Sequence, residues 1–174
     1  MLTALNLGSG QRPFKSTDEV SWTNIDKIAH DGMPVPDIQC DAANLPYLDG
    51  SVDIVVLHHV VEHFGCGEAM GLIKEAHRVL KTAGALIVTV PDLRALAEGW
   101  LTERIDTQIY VTCLMGAYMG HEEDRHRWNF DRDSLMEFLN ASAEWDGVVD
   151  FNFRKIPGAA IAQDWWILGV ECLK

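Results

Sequence analysis

"SVDIVVLHHVVEH", residues 51 to 63, decides the fold. From Ser51 to Leu57 the run reads as apolar on both faces, as expected of a central parallel strand covered on both sides. Working outward, "TALNL" (3–7), "WTNID" (22–26), "DIQCD" (37–41) and "ALIVTV" (85–90) read as further short strands. Between the last two lies a helical pattern over about residues 68–81, where Ala69, Leu72, Ile73, Ala76, Val79 and Leu80 recur at spacings of three and four. Residues 92–119 read as mostly helical, and a further helix is expected from Asp131, with Phe130 and Leu135 as its hydrophobic staple. Two terminal strands are expected near 146–153 and 165–173, joined by the loop "RKIPGAAIAQD". Alternation of this kind predicts an α/β fold with a mostly parallel sheet.

The bulk numbers narrow the class. A chain of 174 residues, 48% hydrophobic and 23% charged, is expected to form one domain spanning residues 1–174. A net charge of -12, with only 14 scattered Lys and Arg, argues against nucleic acid or an anionic membrane as the main partner. Cys40, Cys66, Cys113 and Cys172 form no C-x-x-C pair, which suits a reduced, cytoplasmic chain. Met1 leads almost directly into the first strand, so no signal peptide is expected, and no aliphatic run is long enough to cross a bilayer.

In an open α/β sheet, ligands bind beyond the carboxyl ends of the strands. Four strand ends here carry notable residues: Gly8-Ser9-Gly10, Asp26, Asp41 and His58-His59. The glycines permit a sharp turn and close approach of a ligand to the main chain. Asp26, at the end of the second strand, suits the hydroxyls of a ribose, and Asp41 an adenine amino group. The nicotinamide fingerprint G-x-G-x-x-G fails, because Gln11-Arg12-Pro13 follow Gly10, and Pro13 disfavours the helix that would bind a pyrophosphate. A nucleoside without phosphates fits better.

With these residues in order, the chain resembles the class I S-adenosylmethionine-dependent methyltransferases, in particular their small bacterial members. "LNLGSG", "WTNID", "CDAANLPYLDGSVDIVVLHHVVEHF", "AHRVLKTAGALIVTVPD" and "HRWNFDRDSL" look like successive segments of that family. The resemblance implies a Rossmann-like, seven-stranded, mostly parallel sheet with an antiparallel last strand, and S-adenosyl-L-methionine as cofactor. It implies that Leu7, Gly8, Ser9 and Gly10 hold the methionyl part, Asp26 the ribose, Asp41 and Ala42 the adenine, with His58 near the sulfonium. Asn6 stands where many members carry an acid, and Arg12 where a third glycine is frequent. The short segment between Gly10 and Trp22 leaves the pocket open, or covered by a second copy in a homo-oligomer.

His59-Val60-Val61-Glu62-His63 also fits H-x-x-E-H, a pattern that holds zinc in certain metalloproteases. It follows a strand at once and ends at Gly65-Cys66-Gly67, which leaves too little helix for that use, so no metal is expected and a zinc hydrolase is a distant alternative. "HEEDRH" (121–126) reads as a solvated loop. The expected function is methylation of a small-molecule or sugar-like acceptor, the alternative a catalytically silent cofactor-binding module. His63 and His126 are the candidate catalytic bases, and His59, His121, Arg127 and Trp128 the candidate acceptor-facing residues.

Overall fold

A computed structural model describes residues 1–29, 32, 34–117, 121–156 and 165–174. Seven strands form one sheet: β1 (Leu2–Leu7), β2 (Val20–Asp26), β3 (Ile38–Gln39), β4 (Val52–His58), β5 (Leu80–Pro91), β6 (Gly147–Asp150) and β7 (Ile167–Leu173). Their order is β3-β2-β1-β4-β5-β7-β6, with β7 antiparallel to both of its neighbours and every other pairing parallel. The order reverses between β1 and β4, which is where a ligand crevice opens in such a sheet.

Among the described residues four α-helices accompany the strands: α1 (Cys66–Val79), α2 (Leu93–Leu101), α3 (Thr107–Met115) and α4 (Arg132–Ser142). The apolar stripe of α1, from Ala69 to Val79, packs with Leu135, Phe138 and Leu139 of α4 against Leu5, Leu7, Val55 and Leu57. The start of α4 follows the staple: Asp131 caps it by accepting from Ser134 N at 3.0 Å, while Phe130 and Leu135 are both fully buried.

The covering of β4 departs from the sequence-based expectation. On the other side of the sheet a smaller cluster gathers Phe14, Val56, Phe153, Ile156 and Ile167, and among the described residues no α-helix contributes a side chain to it. The segment after Gly10 takes a helix's place there, and two asparagines hold it down. Asn24 Oδ1 accepts from Phe14 N at 2.7 Å, and Asn24 Nδ2 donates to Phe14 O at 3.1 Å. Asn6 Nδ2 donates to Arg12 O and to Asn24 Oδ1, both at 3.0 Å.

Element ends shift as well. The expected helix over 68–81 stops at Val79, because Leu80 is extended and already pairs with Val52 of β4. Residues 92–119 split into α2 and α3, with Gly120 and its two predecessors outside the described residues. β6 is shorter than expected, since the chain turns into a 3-10 helix at Phe153–Lys155. Of the expected loop 154–164, residues 157–164 lie outside the described residues.

Candidate active site

The carboxyl ends of β1, β2 and β4 carry two adjoining cavities, about 410 Å³ and 540 Å³, whose linings share Gly8, Gly10, His59, His63 and Asp124. Each falls within the range of about 300–1,000 Å³ usual for small-ligand sites. The larger one adds Asp26, Asp41, Ala42 and Arg127, and the smaller adds Ser9, Arg12, His58, Cys113, His126 and Trp166.

Backbone conformation shapes the turn after β1. Gly8 has φ +66° and Gly10 φ +42°, a region that other residues enter at a cost. A Cβ on Gly8 would meet Val60 Cγ2 at 2.5 Å, so the residue is required on steric grounds too. Asp26 ties this turn to β2: its Oδ2 accepts from Gly10 N at 2.8 Å and its Oδ1 from Ile28 N at 3.0 Å. Each carboxylate oxygen has a second lone pair left for an incoming hydroxyl. Asp41 Oδ1 accepts from Ala43 N at 2.9 Å, and Lys27 Nζ approaches its Oδ2 at 3.6 Å.

His58, at the end of β4, is buried and held by two neighbours. Arg12 Nη1 lies 3.3 Å from Nε2, and Thr89 Oγ1 lies 2.6 Å from Nδ1. A guanidinium only donates, so Nε2 is the acceptor and Nδ1–H donates to Thr89. Burial, followed by the proximity of His59 and Arg12, depresses the pKa of His58 to about 3, and the ring is a neutral imidazole.

The histidine wall is built by the short turn after β4. His59 sits at φ +57°, which swings the chain into a 3-10 helix at Val61–His63. Glu62 is 1% exposed and its Oε1 pairs with His59 Nδ1 at 3.1 Å. Burial raises its pKa, but the hydrogen bond from His59 and the nearby His63 and His126 outweigh that, so the carboxyl is held below its ordinary value. The Glu62 carbonyl accepts from Arg127 N and Trp128 N, which brings the 121–128 segment against this turn. His63 and His126 then meet edge to face, with ring centroids 4.7 Å apart. Burial lowers the pKa of His126. Glu62 Oε2 and His126 Nδ1 are the two buried side-chain polar atoms without a hydrogen bond among the described residues. An unpaired group of this kind costs about 1–3 kcal/mol and calls for an explanation.

The sequence candidates divide accordingly. Gly8, Ser9, Gly10, Asp26, Asp41, Ala42, His58, His59, His63, His126 and Arg127 all line one cavity or both. Leu7 is fully buried in the core, so it offers a ligand only its backbone. Trp128 packs on Phe130 and Phe138, and exposed His121 lines neither cavity. The 121–126 stretch is less solvated than expected, because Asp124 and His126 turn inward. Sequence reasoning passed over Arg12, Cys113 and Trp166, which no local motif marks, and gave Glu62 no role beyond the H-x-x-E-H pattern.

Strand order and the crevice at its reversal are those of the class I methyltransferase fold. A methyltransferase-domain family model matches residues 19–88. Solved structures agree over nearly the whole chain. A SAM-dependent methyltransferase from Archaeoglobus fulgidus is 12% identical, with TM-score 0.62 and coverage of 99% of this chain and 86% of that one. One from Methanosarcina mazei is 18% identical, with TM-score 0.59 and coverage of 99% and 92%. A 1,6-didemethyltoxoflavin-N1-methyltransferase from Burkholderia thailandensis, solved with 1,6-didemethyltoxoflavin and S-adenosylhomocysteine, is 15% identical, with TM-score 0.60 and coverage of 99% and 71%. No curated protein matches by sequence.

Proposed function

We propose that the protein transfers a methyl group from S-adenosylmethionine to a small, polar acceptor of the hydroxyl or sugar-like kind. The observation that carries this reading is the pair of adjoining cavities, with the glycine turn and two strand-end carboxylates beside the larger and a histidine wall between them.

When bound, the cofactor supplies an electrophilic methyl on a sulfonium. Gly8 and Gly10 let it lie against the main chain, Asp26 accepts from its ribose and Asp41 from its adenine. His58 is neutral, so it adds no cation beside the sulfonium. His59, His63 and His126 face the acceptor and fix its orientation. Alignment of acceptor and methyl can supply about 7–11 kcal/mol of the barrier. An acceptor hydroxyl must also lose a proton, and His63 and His126, which line the cavities, are the candidates to receive it.

Calorimetry with S-adenosylmethionine and S-adenosylhomocysteine, followed by labelled methyl transfer to a panel of sugars, phenols and amines, tests the reading. Binding of both with label transfer to a small acceptor is expected. Absence of binding overturns the proposal, and binding without transfer to any acceptor leaves a silent cofactor-binding module in its place.

A further inference from the structure

We propose that Glu62, His63 and His126 form a binding site for a divalent transition-metal ion of the zinc type. One potential ligand atom from each of the three lies within 4.8 Å of the other two. Glu62 and His63 come from the turn after β4, and His126 from a segment 63 residues further on, docked there by its backbone bonds to Glu62.

Two of the three residues carry a buried polar atom with no partner among the described residues. Glu62 Oε1 is used by His59, and Oε2 has no partner. His63 Nδ1 donates to the Glu123 carbonyl at 2.8 Å, which leaves Nε2 with its lone pair outward. His126 Nδ1 is buried and has no partner among the described residues, so it can present a lone pair to an ion. The His63 imidazole is therefore held by a backbone carbonyl, the usual arrangement behind a metal-bound histidine.

Two imidazoles and one carboxylate favour zinc, cobalt or iron over calcium or magnesium. At bond lengths of about 2.0–2.1 Å, tetrahedral ligands lie about 3.4 Å apart, so the three side chains would draw together to close on an ion. Three protein ligands leave a fourth position, and His63 lines both cavities and His126 the smaller, which sets the group beside the ligand space. The grouping differs from the H-x-x-E-H pattern: His59 supports the carboxylate, and the second histidine comes from residue 126. The expectation of no metal, drawn from the brevity of the local helix, did not include a ligand so distant in sequence. If the protein methylates a hydroxyl, the ion would hold that oxygen and lower its pKa. In that event His63 and His126 carry the ion rather than a proton. That role rests on the proposed methyl transfer, whereas ion binding does not.

The test is titration of the chelator-stripped chain with cobalt(II), followed by optical absorption and by zinc competition, with S-adenosylmethionine binding measured in parallel. One equivalent should bind with the absorption of a low-coordinate cobalt site, and zinc should displace it. Glu62→Gln and His126→Ala should each weaken binding about 100-fold, and His77→Gln, remote on α1, should leave it unchanged. Zinc should also protect His63 and His126 of the unaltered protein from chemical modification, a readout that survives poor folding of a variant. Failure to bind cobalt or zinc, or equal binding by both site variants, overturns the metal site. Intact cofactor binding alongside that failure would leave the methyl-transfer reading standing.

Discussion

Gly8 concentrates the steric demands of the ligand crevice in one residue. Its φ of +66° and the 2.5 Å approach of a built Cβ to Val60 Cγ2 leave no room for a side chain. Gly8→Val should reduce affinity for S-adenosylhomocysteine at least tenfold, roughly 1.4 kcal/mol or more, as read by calorimetry. Unchanged affinity would show that the turn does not touch the ligand. His58 makes a second prediction, about pH. Its folded pKa of about 3 lies below the ordinary 6.5, so the unfolded chain takes up a proton that the folded chain refuses. Stability is therefore full above pH 6.5 and falls as pH drops from there toward 3. The limiting slope for one such group is about 1.4 kcal/mol per pH unit. Arg12, His59 and Glu62 surround the ring, and Asn can replace its contacts to Arg12 and Thr89 without titrating. His58→Asn should therefore show a shallower loss of denaturation free energy between about pH 6 and pH 4 than the parent chain. Parallel profiles would mean that His58 takes up its proton in the folded state as readily as in the unfolded one. At this scale the site was largely legible, because strand ends and glycines announce themselves locally. Glu62 and Arg12 were not, since their roles depend on partners 64 and 46 residues away.

Among elements, the segment that replaces a helix after β1 depends on Asn24. That side chain satisfies both backbone groups of Phe14, receives a bond from Asn6, and donates to Asp37 Oδ2 at 3.0 Å. Asn24→Ala would leave Phe14 N, Phe14 O and Asn6 short of partners in a buried place. A loss of about 2–4 kcal/mol is expected in chemical denaturation, from more than one unsatisfied group. A loss under about 0.5 kcal/mol would mean that water replaces these bonds and the segment is not pinned by them. Nothing in "WTNID" distinguishes Asn24 from a solvated polar residue, because its burial comes from a neighbouring segment rather than from β2 itself. Helix starts were more legible. The cap at Asp131 and the staple of Phe130 with Leu135 act within one turn, and the structure has them as the sequence predicts. The end of α1 was misplaced by two residues, because Leu80 continues the helical spacing while its backbone already pairs with β4.

For the molecule as a whole, the alternation of strand and helix patterns pointed to the fold class, whereas the covering of the sheet's second face was not visible. That face depends on Phe14 from one connecting segment and on Phe153 and Ile156 from another, and neither segment carries a periodicity. The consequence bears on stability. The crevice is bounded by the 8–14 segment and by the 121–128 segment, and neither contains an α-helix. A ligand that bridges them binds the folded chain and not the unfolded one, so it stabilises by mass action. At a hundred times its dissociation constant, S-adenosylhomocysteine should add about 2.7 kcal/mol. For a chain of this size that corresponds to a rise in Tm of about 5–11 °C. Gly8→Val should lose most of the rise at the same concentration, while Asp131→Ala should keep it, although its own starting Tm falls with the lost cap. A thermal scan with and without ligand decides the matter. An equal rise in all three proteins would place the ligand away from the glycine turn, and no rise in the parent chain would remove S-adenosylhomocysteine as a ligand at that concentration.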